Sequence, residues 1–330
     1  MPGVSVLIRA RNEALGLPAT LAAIGRQRIG VPVEVVVVDS ASTDATVEVA
    51  RAGGARVVDL GTAYRPGLAV NRGMRECRAP LVVLVSASAF PADDGWLAAL
   101  VAPLDADREG RLAGTFGRHL PVPGVSPIEE PLLGRIFGDH DTGAPFSFTN
   151  AAVRRAVWEE HPCDETIASG GGDDREWAAR VARAGYAVEY VPGSAVHRSH
   201  GLTAAGWYAR MTADAESDRI TERAGGAVIS PGGSRAGMAL PTLAHLVRGR
   251  RWADLARSPL VVGSIAAGRW AGGRPEPPRR LDRAMRTVGD LDDRVFAVKA
   301  RSRRATEAFL RGYWAGDGRT AAAGTPPGRC

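Results

Sequence analysis

Short apolar runs alternate with helical patterns over the first 200 residues of the chain. The runs are rich in β-branched residues and lie at residues 4–8, 33–38, 56–60 and 81–85. Residues 13–28 and 67–78, in contrast, place their apolar side chains at helical spacing. Strands without internal polar alternation, separated by helices, predict an α/β fold whose mostly parallel sheet is covered by helices on both faces.

The pattern changes along the chain and predicts three regions. Further strands are predicted at residues 113–118 and 187–191, helices at 91–104 and 173–184, and a long loop rich in Pro, Gly and charge at 119–143. Helical stretches follow at 206–223, 238–272 and 281–314, with a Gly/Ser-rich joint at 225–237. We therefore expect a domain over residues 1–204, a helical arginine-rich extension over 205–315 and a disordered tail over 316–330.

Charge is distributed unevenly over the 330 residues. The formal net charge is +6, but residues 205–330 alone carry 22 Lys and Arg against 12 Asp and Glu, a balance of +10. The acidic first part argues against nucleic acid as a partner. The basic second part suits an anionic lipid surface or a phosphorylated ligand.

Residues 238–272 mix Leu, Val and Trp with several arginines, which leaves two interpretations open. The segment could contact a membrane surface with its apolar side chains inserted and its arginines outward. It could equally pack against the first domain with its arginines solvated.

The cysteines and the N-terminus bear on the compartment. Cys77, Cys163 and Cys330 match no zinc or disulfide spacing, which predicts a reducing environment. The sequence has no basic segment followed by an apolar one at its start, and no uncharged apolar run of about 18 residues. We expect a cytoplasmic protein, peripheral at the inner face of the membrane if the extension binds lipid.

Polar residues follow three of the predicted strands, and ligands of parallel sheets bind beyond the carboxyl ends of the strands. Asp39 ends a buried strand, where a carboxylate can accept hydrogen bonds from a ribose hydroxyl or a base N–H. Ser40, Ser42 and Asp44 follow directly. For Ser42 and Asp44, capping of the next helix is the interpretation that we favour.

Asp173 and Asp174 open a predicted helix after three consecutive glycines. Acidic residues at a helix N-terminus are common for dipole reasons alone. The glycines, together with His197 and His200 just past the last strand, favour a catalytic pair instead, because an attacking hydroxyl needs a proton acceptor. We expect the two histidines to face the same crevice, where their spacing gives weak support for a metal or diphosphate contact.

Five segments occur in an order that resembles the family 2 glycosyltransferases, which have the GT-A fold. The segments are residues 4–13 (VSVLIRARNE), 35–46 (VVVVDSASTDAT), 67–73 (GLAVNRG), 146–158 (FSFTNAAVRRAVW) and 164–186 (DETIASGGGDDREWAARVARAGY). The resemblance covers roughly the first 200 residues and rests on the order of the blocks. It implies transfer of a sugar from a nucleotide-diphosphate sugar to an acceptor hydroxyl, with inversion, on a polysaccharide, lipid-linked or natural-product acceptor.

The resemblance also implies roles for individual residues. The base falls on Asp174, with Asp173 as the other acid of the pair, and the nucleotide-contacting acid falls on Asp39. His200 falls where some members place a histidine that binds a metal or the diphosphate. The expected nucleotide-sugar-binding residues are Arg9, Arg11, Asn12, Glu13, Asp39, Ser40, Ser42, Asp44, Asn71, Ser86, Ser88 and Arg118.

The chain departs from the family where a metal-binding Asp-x-Asp should end the strand at 81–85. The sequence there reads Ser86-Ala87-Ser88, similar to a rhamnosyltransferase-like branch that has Ser-Ala-His-Ala, but without the histidine. The family implies Mg²⁺ or Mn²⁺, whereas hard cations need carboxylate oxygens that these serines lack. Arginines such as Arg11, Arg65 or Arg118 are expected to neutralise part of the diphosphate charge.

Two other functions remain open. A sugar nucleotidyltransferase would share a nucleotide-binding sheet, but it usually has a Gly-rich phosphate loop after the first strand, and here no glycine precedes Gly16 in that segment. A non-catalytic relative that binds nucleotide sugar is the other alternative, motivated by the serines at 86 and 88.

Overall fold

The computed structural model describes residues 3–62, 64–140, 143–167, 172–223, 235–274 and 278–315. The strands within these ranges are β1 Val4–Ala10, β2 Val33–Asp39, β3 Arg56–Asp59, β4 Leu81–Ser86, β5 Phe90–Pro91, β6 Leu112–Leu120, β7 Asn150–Arg154 and β8 Ala187–His197. The helices are α1 Leu17–Gly25, α2 Thr46–Ala52, α3 Pro66–Glu76, α4 Trp96–Ala106, α5 Glu130–Ile136, α6 Arg155–Glu160, α7 Asp173–Arg183, α8 Ala204–Arg223, α9 Arg235–Arg248, α10 Trp252–Gly272, α11 Arg279–Phe296 and α12 Val298–Ala315. The predicted tail at 316–330 and most of the predicted joint at 225–237 lie outside the described residues.

The eight strands form one mixed sheet in the order β3-β2-β1-β4-β7-β6-β8-β5. The pairs β1–β2, β1–β4, β2–β3 and β6–β8 are parallel, whereas β7 runs antiparallel to β4 and β6, and β5 runs antiparallel to β8. Ala10 pairs with Asp39, and Arg9 pairs with Ser86. The carboxyl ends of β1, β2 and β4 therefore lie side by side at one edge of the sheet.

The core has two layers because helices cover both faces of the sheet. Val6, Ile8 and Val37 belong to one buried cluster, and Leu7 and Val36 belong to the other. Neighbouring side chains of a strand point to opposite faces, so a strand that is buried on both sides must be apolar throughout. This confirms the fold class expected from the uninterrupted apolar runs.

Three predicted boundaries are wrong. The helix expected from residue 91 begins at Trp96, because Phe90–Pro91 pairs with the end of β8. The segment 119–143, expected to be a loop, contains α5. The stretch 281–314, expected to be continuous, forms two helices because Ala297 takes a left-handed conformation with φ 48°.

The C-terminal helices are fastened to one another through polar and small residues. On α10, a Cβ at Gly268 or Gly272 would collide with the backbone of α8 at Tyr208 or Thr212. Arg257 of α10 makes a bidentate ion pair with the buried Asp292 of α11, through bonds of 2.7 and 2.8 Å. The expectation that the arginines of 238–272 point outward is therefore wrong for Arg257.

The last helix contacts the sheet. Phe309 and Tyr313 of α12 pack against Phe90 with ring centroids 5.7 and 6.0 Å apart, and the Tyr313 hydroxyl donates to the carbonyl of Pro91 at 2.7 Å.

None of the helices in the described part of the chain combines the length and apolar character that crossing a membrane requires.

Candidate active site

Hydrogen bonds join the loops that follow β1 and β2. Asp39 accepts from the Ser42 hydroxyl at 2.5 Å and from the Ser42 amide at 2.9 Å. The Ser42 hydroxyl oxygen accepts from the Asn12 amide at 2.8 Å, and the Asn12 side-chain oxygen accepts from the Thr43 amide at 2.8 Å. Ser42 thus connects the two loops and makes no capping bond to α2, unlike the helix-capping role that we favoured for it.

Asp44 lies directly before Ala45, the N-cap residue of α2. One carboxylate oxygen accepts from the Thr46 amide at 3.0 Å, and the other accepts from the Ala14 amide at 3.2 Å. Burial acts to raise the pKa of Asp44, but the bonds from Thr46 and Ala14 outweigh it and hold the pKa below its usual value. Asp44 is therefore an ionised carboxylate that joins the start of α2 to the loop after β1, and it is not the N-cap residue that we expected.

The end of β4 carries hydroxyl groups beside Glu13. The Ser86 amide donates to the Thr149 carbonyl at 3.3 Å, and the Ser88 hydroxyl donates to the Glu13 carboxylate at 3.4 Å. Burial raises the pKa of Glu13 to about 7, against the opposing effect of the Ser88 bond. Glu13 is thus a carboxyl group that changes charge close to neutral pH.

The acid pair at the start of α7 faces the end of β1. Arg9 donates to Asp173 at 3.1 Å, and the Asp173 side chain is buried in that ion pair. Asp174 is half-buried and accepts from the Arg175 amide at 2.9 Å and the Phe148 amide at 3.3 Å. Burial, and then the charge of Asp173, raise the pKa of Asp174 to about 6. Asp174 is therefore the more accessible proton acceptor of the pair.

Arg198 lies close to the end of β4, and Arg210 interacts with Arg198 through space. Arg198 follows β8 and donates to the Thr149 hydroxyl at 2.6 Å; Arg210 of α8 lies 3.0 Å from Nε2 of His200. Burial, and then repulsion from Arg210, lower the pKa of Arg198 to about 10. Among the described residues, neither guanidinium has a carboxylate oxygen within 4.0 Å.

His200 connects Arg210 to a buried glutamate. Its Nδ1 lies 3.0 Å from a carboxylate oxygen of Glu129, and its backbone amide donates to the other oxygen at 2.8 Å. Burial, and then Arg198 and Arg210, lower the pKa of His200 to about 4. The ring is neutral at physiological pH, so Nδ1 donates to Glu129, while one Arg210 nitrogen lies 3.0 Å from Nε2 and 3.3 Å from Nδ1.

His197 does not share the environment of His200. Its ring is buried, with Nδ1 3.3 Å from the carbonyl of Pro121 and a ring-centroid distance of 5.1 Å to Phe309 of α12. The expectation that both histidines face one crevice is therefore wrong for His197.

The ligands at the end of β4 do not suit a hard divalent cation. Ser86 and Ser88 lack carboxylate oxygens, and no cluster of three or more His, Cys, Asp or Glu with metal-binding geometry occurs in the part of the chain that the structure describes. Both ring nitrogens of His200 already have partners, one of them the positively charged Arg210. A cation placed against His200 would meet that like charge at short range.

Asn71 does not reach the crevice. Its amide nitrogen donates to the Cys163 carbonyl at 2.9 Å and to the Glu165 carboxylate at 2.8 Å. Its oxygen accepts from the Trp158 indole and from the Cys163 amide, both at 2.9 Å. The buried side chain fastens the segment before α7 and has no donor left for a ligand.

The remaining predicted residues lie in different settings. Ser40 is buried, and its amide donates to Ala10 at 3.0 Å. Arg11 is exposed, and Arg65 donates to the carbonyls of Glu165 and Thr166 at 3.2 Å. Arg118 has a buried Nε without a hydrogen-bond partner. Arg118 is thus the residue of this group with an unused buried donor.

Sequence reasoning missed Arg198, Arg210 and Glu129. Arg198 follows a strand, as do the residues selected after β1, β2 and β4, so the same strand-end rule could have found it. Arg210 and Glu129 carry no such local signal. Arg210 lies inside a helix and Glu129 in a loop, and only packing brings them to His200.

Sequence comparison identifies one family. Residues 5–159 match the model of the family described as Glycosyl transferase family 2. A comparison with curated proteins gave no match.

Solved structures share the fold at low sequence identity. A mannosyltransferase from Pyrobaculum calidifontis in complex with GDP-Man and Mn²⁺ is 20% identical with a TM-score of 0.51, over 96% of this chain and 87% of that chain. Glucosyl-3-phosphoglycerate synthase from Mycobacterium tuberculosis in complex with Mn²⁺, UDP-Glc and glycerol 3-phosphate is 19% identical with a TM-score of 0.50, over 69% and 82% of the two chains. A mycobacterial protein is 22% identical with a TM-score of 0.51, over 69% and 76%. These similarities establish the fold.

Proposed function

Because residues 5–159 match the model of glycosyl transferase family 2 and the fold is similar to that of solved glycosyltransferases, we propose that the protein transfers a sugar with inversion from a nucleotide-diphosphate sugar to an acceptor hydroxyl. One observation carries the proposal. The half-buried carboxylate of Asp174 lies beside the Arg9–Asp173 ion pair, and Arg9 belongs to the strand that runs next to Asp39. A proton acceptor and a nucleotide-contacting acid thus converge on one sheet edge.

Asp174 acts as the general base in this proposal. It accepts the proton of the acceptor hydroxyl while the hydroxyl oxygen forms a bond to the anomeric carbon. The bond from that carbon to the nucleoside diphosphate breaks on the opposite side, and the diphosphate leaves with the electron pair. A single in-line displacement inverts the anomeric configuration. A pKa of about 6 keeps the carboxylate ionised at neutral pH while leaving it basic enough to assist.

The loops after β1 and β2 form the proposed nucleotide site. Asp39 and Asn12 are joined through Ser42, so the groups that would contact a ribose or base are held before the ligand arrives. The solved complexes of similar fold with GDP-Man and UDP-Glc support a nucleotide-sugar donor. We propose that the domains divide at residue 204, with Arg210 contributed to the site by the helical extension.

A nucleotide panel tests this function. We expect UDP, GDP or dTDP to raise the unfolding temperature, because a ligand that binds only the folded state stabilises it. Incubation of the matching nucleotide sugars with candidate acceptors should then release nucleoside diphosphate. Release of pyrophosphate from a nucleoside triphosphate would instead assign a nucleotidyltransferase. Binding without any turnover across the panel would assign a non-catalytic relative.

We also propose that α10 contacts a membrane surface. Every exposed residue of this helix is apolar: Trp252, Ala253, Ala256, Pro259, Val262, Gly263, Ala266 and Trp270. The opposite face buries Asp254, Arg257, Ser258 and Ser264. The usual arrangement of a surface helix is therefore reversed, which marks an interaction surface.

Charge favours an anionic bilayer as the partner of α10. Exposed Arg279, Arg280 and Arg283 line one concave surface on α11, and the guanidinium carbon of Arg274 lies 3.7 Å from the Trp270 ring centroid. Apolar insertion combined with nearby arginines is the pattern of proteins that lie on anionic lipid. Acceptors carried on lipids would suit this placement.

A further inference from the structure

Arg198 follows β8 and reaches toward the end of β4, the strand end where the resemblance leads us to expect metal-binding acids. Its guanidinium donates to the Thr149 hydroxyl, and the Thr149 carbonyl accepts from the amide of Ser86, the last residue of β4. Thr149 thus links Arg198 to Ser86, at the strand end that reads Ser86-Ala87-Ser88. A fixed positive charge occupies the neighbourhood in which carboxylates would hold a cation.

Arg210 approaches the same place from α8. One guanidinium nitrogen of Arg210 lies 3.0 Å from Nε2 and 3.3 Å from Nδ1 of His200, so it stands against the imidazole ring. Glu129 holds Nδ1 at 3.0 Å and fixes the orientation of the ring. Burial, and then repulsion from Arg210, lower the pKa of Arg198, and neither guanidinium has a carboxylate oxygen within 4.0 Å in the described ranges.

Arg198 and Arg210 are half-buried and repel each other, and the acids that attract them from a distance, Glu129 foremost, form no ion pair with either guanidinium within 4.0 Å among the described residues. An anion bound between the two guanidinium groups would relieve this repulsion. A diphosphate provides several oxygens with the geometry that guanidinium groups bind best. We propose, on the basis of the glycosyltransferase function above, that Arg198 and Arg210 bind the donor diphosphate and take the place of a divalent cation in this protein. The two arginines then stabilise the negative charge of the departing nucleoside diphosphate.

The sugar-transfer step follows the same chemistry when arginines replace the cation. As the bond between the anomeric carbon and the diphosphate oxygen breaks, both electrons stay on that oxygen. Hydrogen bonds from two guanidinium groups spread the new charge, as fixed donors do for other developing oxyanions. No proton transfer to the diphosphate is required.

Calorimetric titration of the full-length protein tests the proposal without relying on turnover. UDP, GDP and dTDP are titrated first after treatment with EDTA and then with excess MnCl₂. We expect the nucleotide that binds to do so equally in both conditions. Binding that requires MnCl₂ would overturn the arginine proposal and leave the glycosyltransferase function standing. Absence of binding in both conditions would remove both.

Single substitutions test whether Arg198 and Arg210 each contribute to diphosphate binding. Arg198→Met and Arg210→Met should each weaken diphosphate binding in EDTA by roughly 10- to 100-fold, the worth of a hydrogen bond to a charged group. Arg198→Lys and Arg210→Lys keep the charge and should lose less. The matched control is Arg51→Met, an exposed arginine at the end of α2 and hence at the opposite edge of the sheet.

Two further measurements keep the result interpretable. Circular dichroism and the unfolding temperature of each ligand-free variant show whether it folds, and the lysine variants replace any methionine variant that does not. Inorganic pyrophosphate, titrated in EDTA, isolates the diphosphate from the base and should show the same loss in both variants. Unchanged affinity for nucleotide and pyrophosphate in folded variants would overturn the proposal.

Discussion

The side chains of Arg9 and Asp173 meet at 3.1 Å although 164 residues separate them along the chain. This ion pair links the end of β1 to the start of α7, and it leaves the adjacent Asp174 half-exposed. The charge of Asp173 also contributes to the raised pKa of Asp174. Asp173 therefore links two elements and raises the pKa of its neighbour, whereas Asp174 remains accessible to a ligand.

Removing the carboxylate of Asp174 should abolish most of the activity. We expect Asp174→Asn to lower kcat by roughly 10²- to 10⁴-fold, the usual contribution of a general base, with little change in nucleotide affinity. Steady-state kinetics and calorimetric titration measure the two quantities. The control Asp105→Asn removes an exposed carboxylate from α4 and should leave kcat unchanged. Full activity of Asp174→Asn would exclude Asp174 as the base.

The pH dependence of kcat should depend on the electrostatic interaction between Asp173 and Asp174. The pKa of Asp174 is raised to about 6, and only the ionised form accepts a proton, so kcat should fall as the pH drops through about 6. Asp173→Asn removes a charge that raises this pKa, so the acidic limb of the profile should move to lower pH. An acidic limb at the same pH in both proteins would contradict this coupling.

The buried ion pair between α10 and α11 should dominate the stability of the extension. Asp292→Asn leaves Arg257 buried without its charged partner, and we expect the free energy of unfolding to fall by about 3–5 kcal/mol. Chemical denaturation measures the change. Asp290→Asn on the exposed side of the same helix is the control and should stay within about 0.5 kcal/mol. Equal effects of the two substitutions would show that the pair contributes nothing specific.

The apolar face of α10 should determine lipid binding. Trp252→Glu combined with Trp270→Glu should weaken binding to phosphatidylglycerol-containing vesicles by roughly 10-fold or more, because both insertion and charge attraction are lost. Co-sedimentation with vesicles measures it, and Val31→Glu, at an exposed apolar residue outside α10, is the control. If the wild type ignores vesicles but forms a dimer that the double substitution dissociates, the face binds a second copy of the chain instead.

Much of the sheet could be predicted because each of its longer strands has a local sequence signal, a short run of apolar residues. The runs before Asp39 and Ser86 are apolar on both faces, and such a pattern has few alternatives in a chain of this size. The short strand at Phe90–Pro91 was missed because two residues carry no periodicity. The break at Ala297 was missed because alanine gives no sign of a left-handed conformation, which here follows from how α11 and α12 pack.

The candidate site was predictable only in part. Asp39, Asp173 and Asp174 stand at strand and helix ends, where topology alone brings residues to one edge. Asn71 belongs to a recognisable block, yet its amide is used within the protein, since the segment around Cys163 packs against it. Arg210 is one arginine among many in an arginine-rich region, and no local pattern distinguishes it.

The sequence by itself determined the α/β class, the order of most strands and helices of the first 200 residues, and the acids at their ends, because burial and backbone hydrogen bonding follow periodicities of a few residues. Only the tertiary structure decided which charged groups interact: Arg9 with Asp173, and Arg198 with Arg210. It also decided which face of α10 stays outside, since Gly268 and Gly272 admit α8 so closely that the polar side of the helix is buried. Contacts of this kind depend on how whole elements pack, and residues far apart in the chain carry no shared local signal for them.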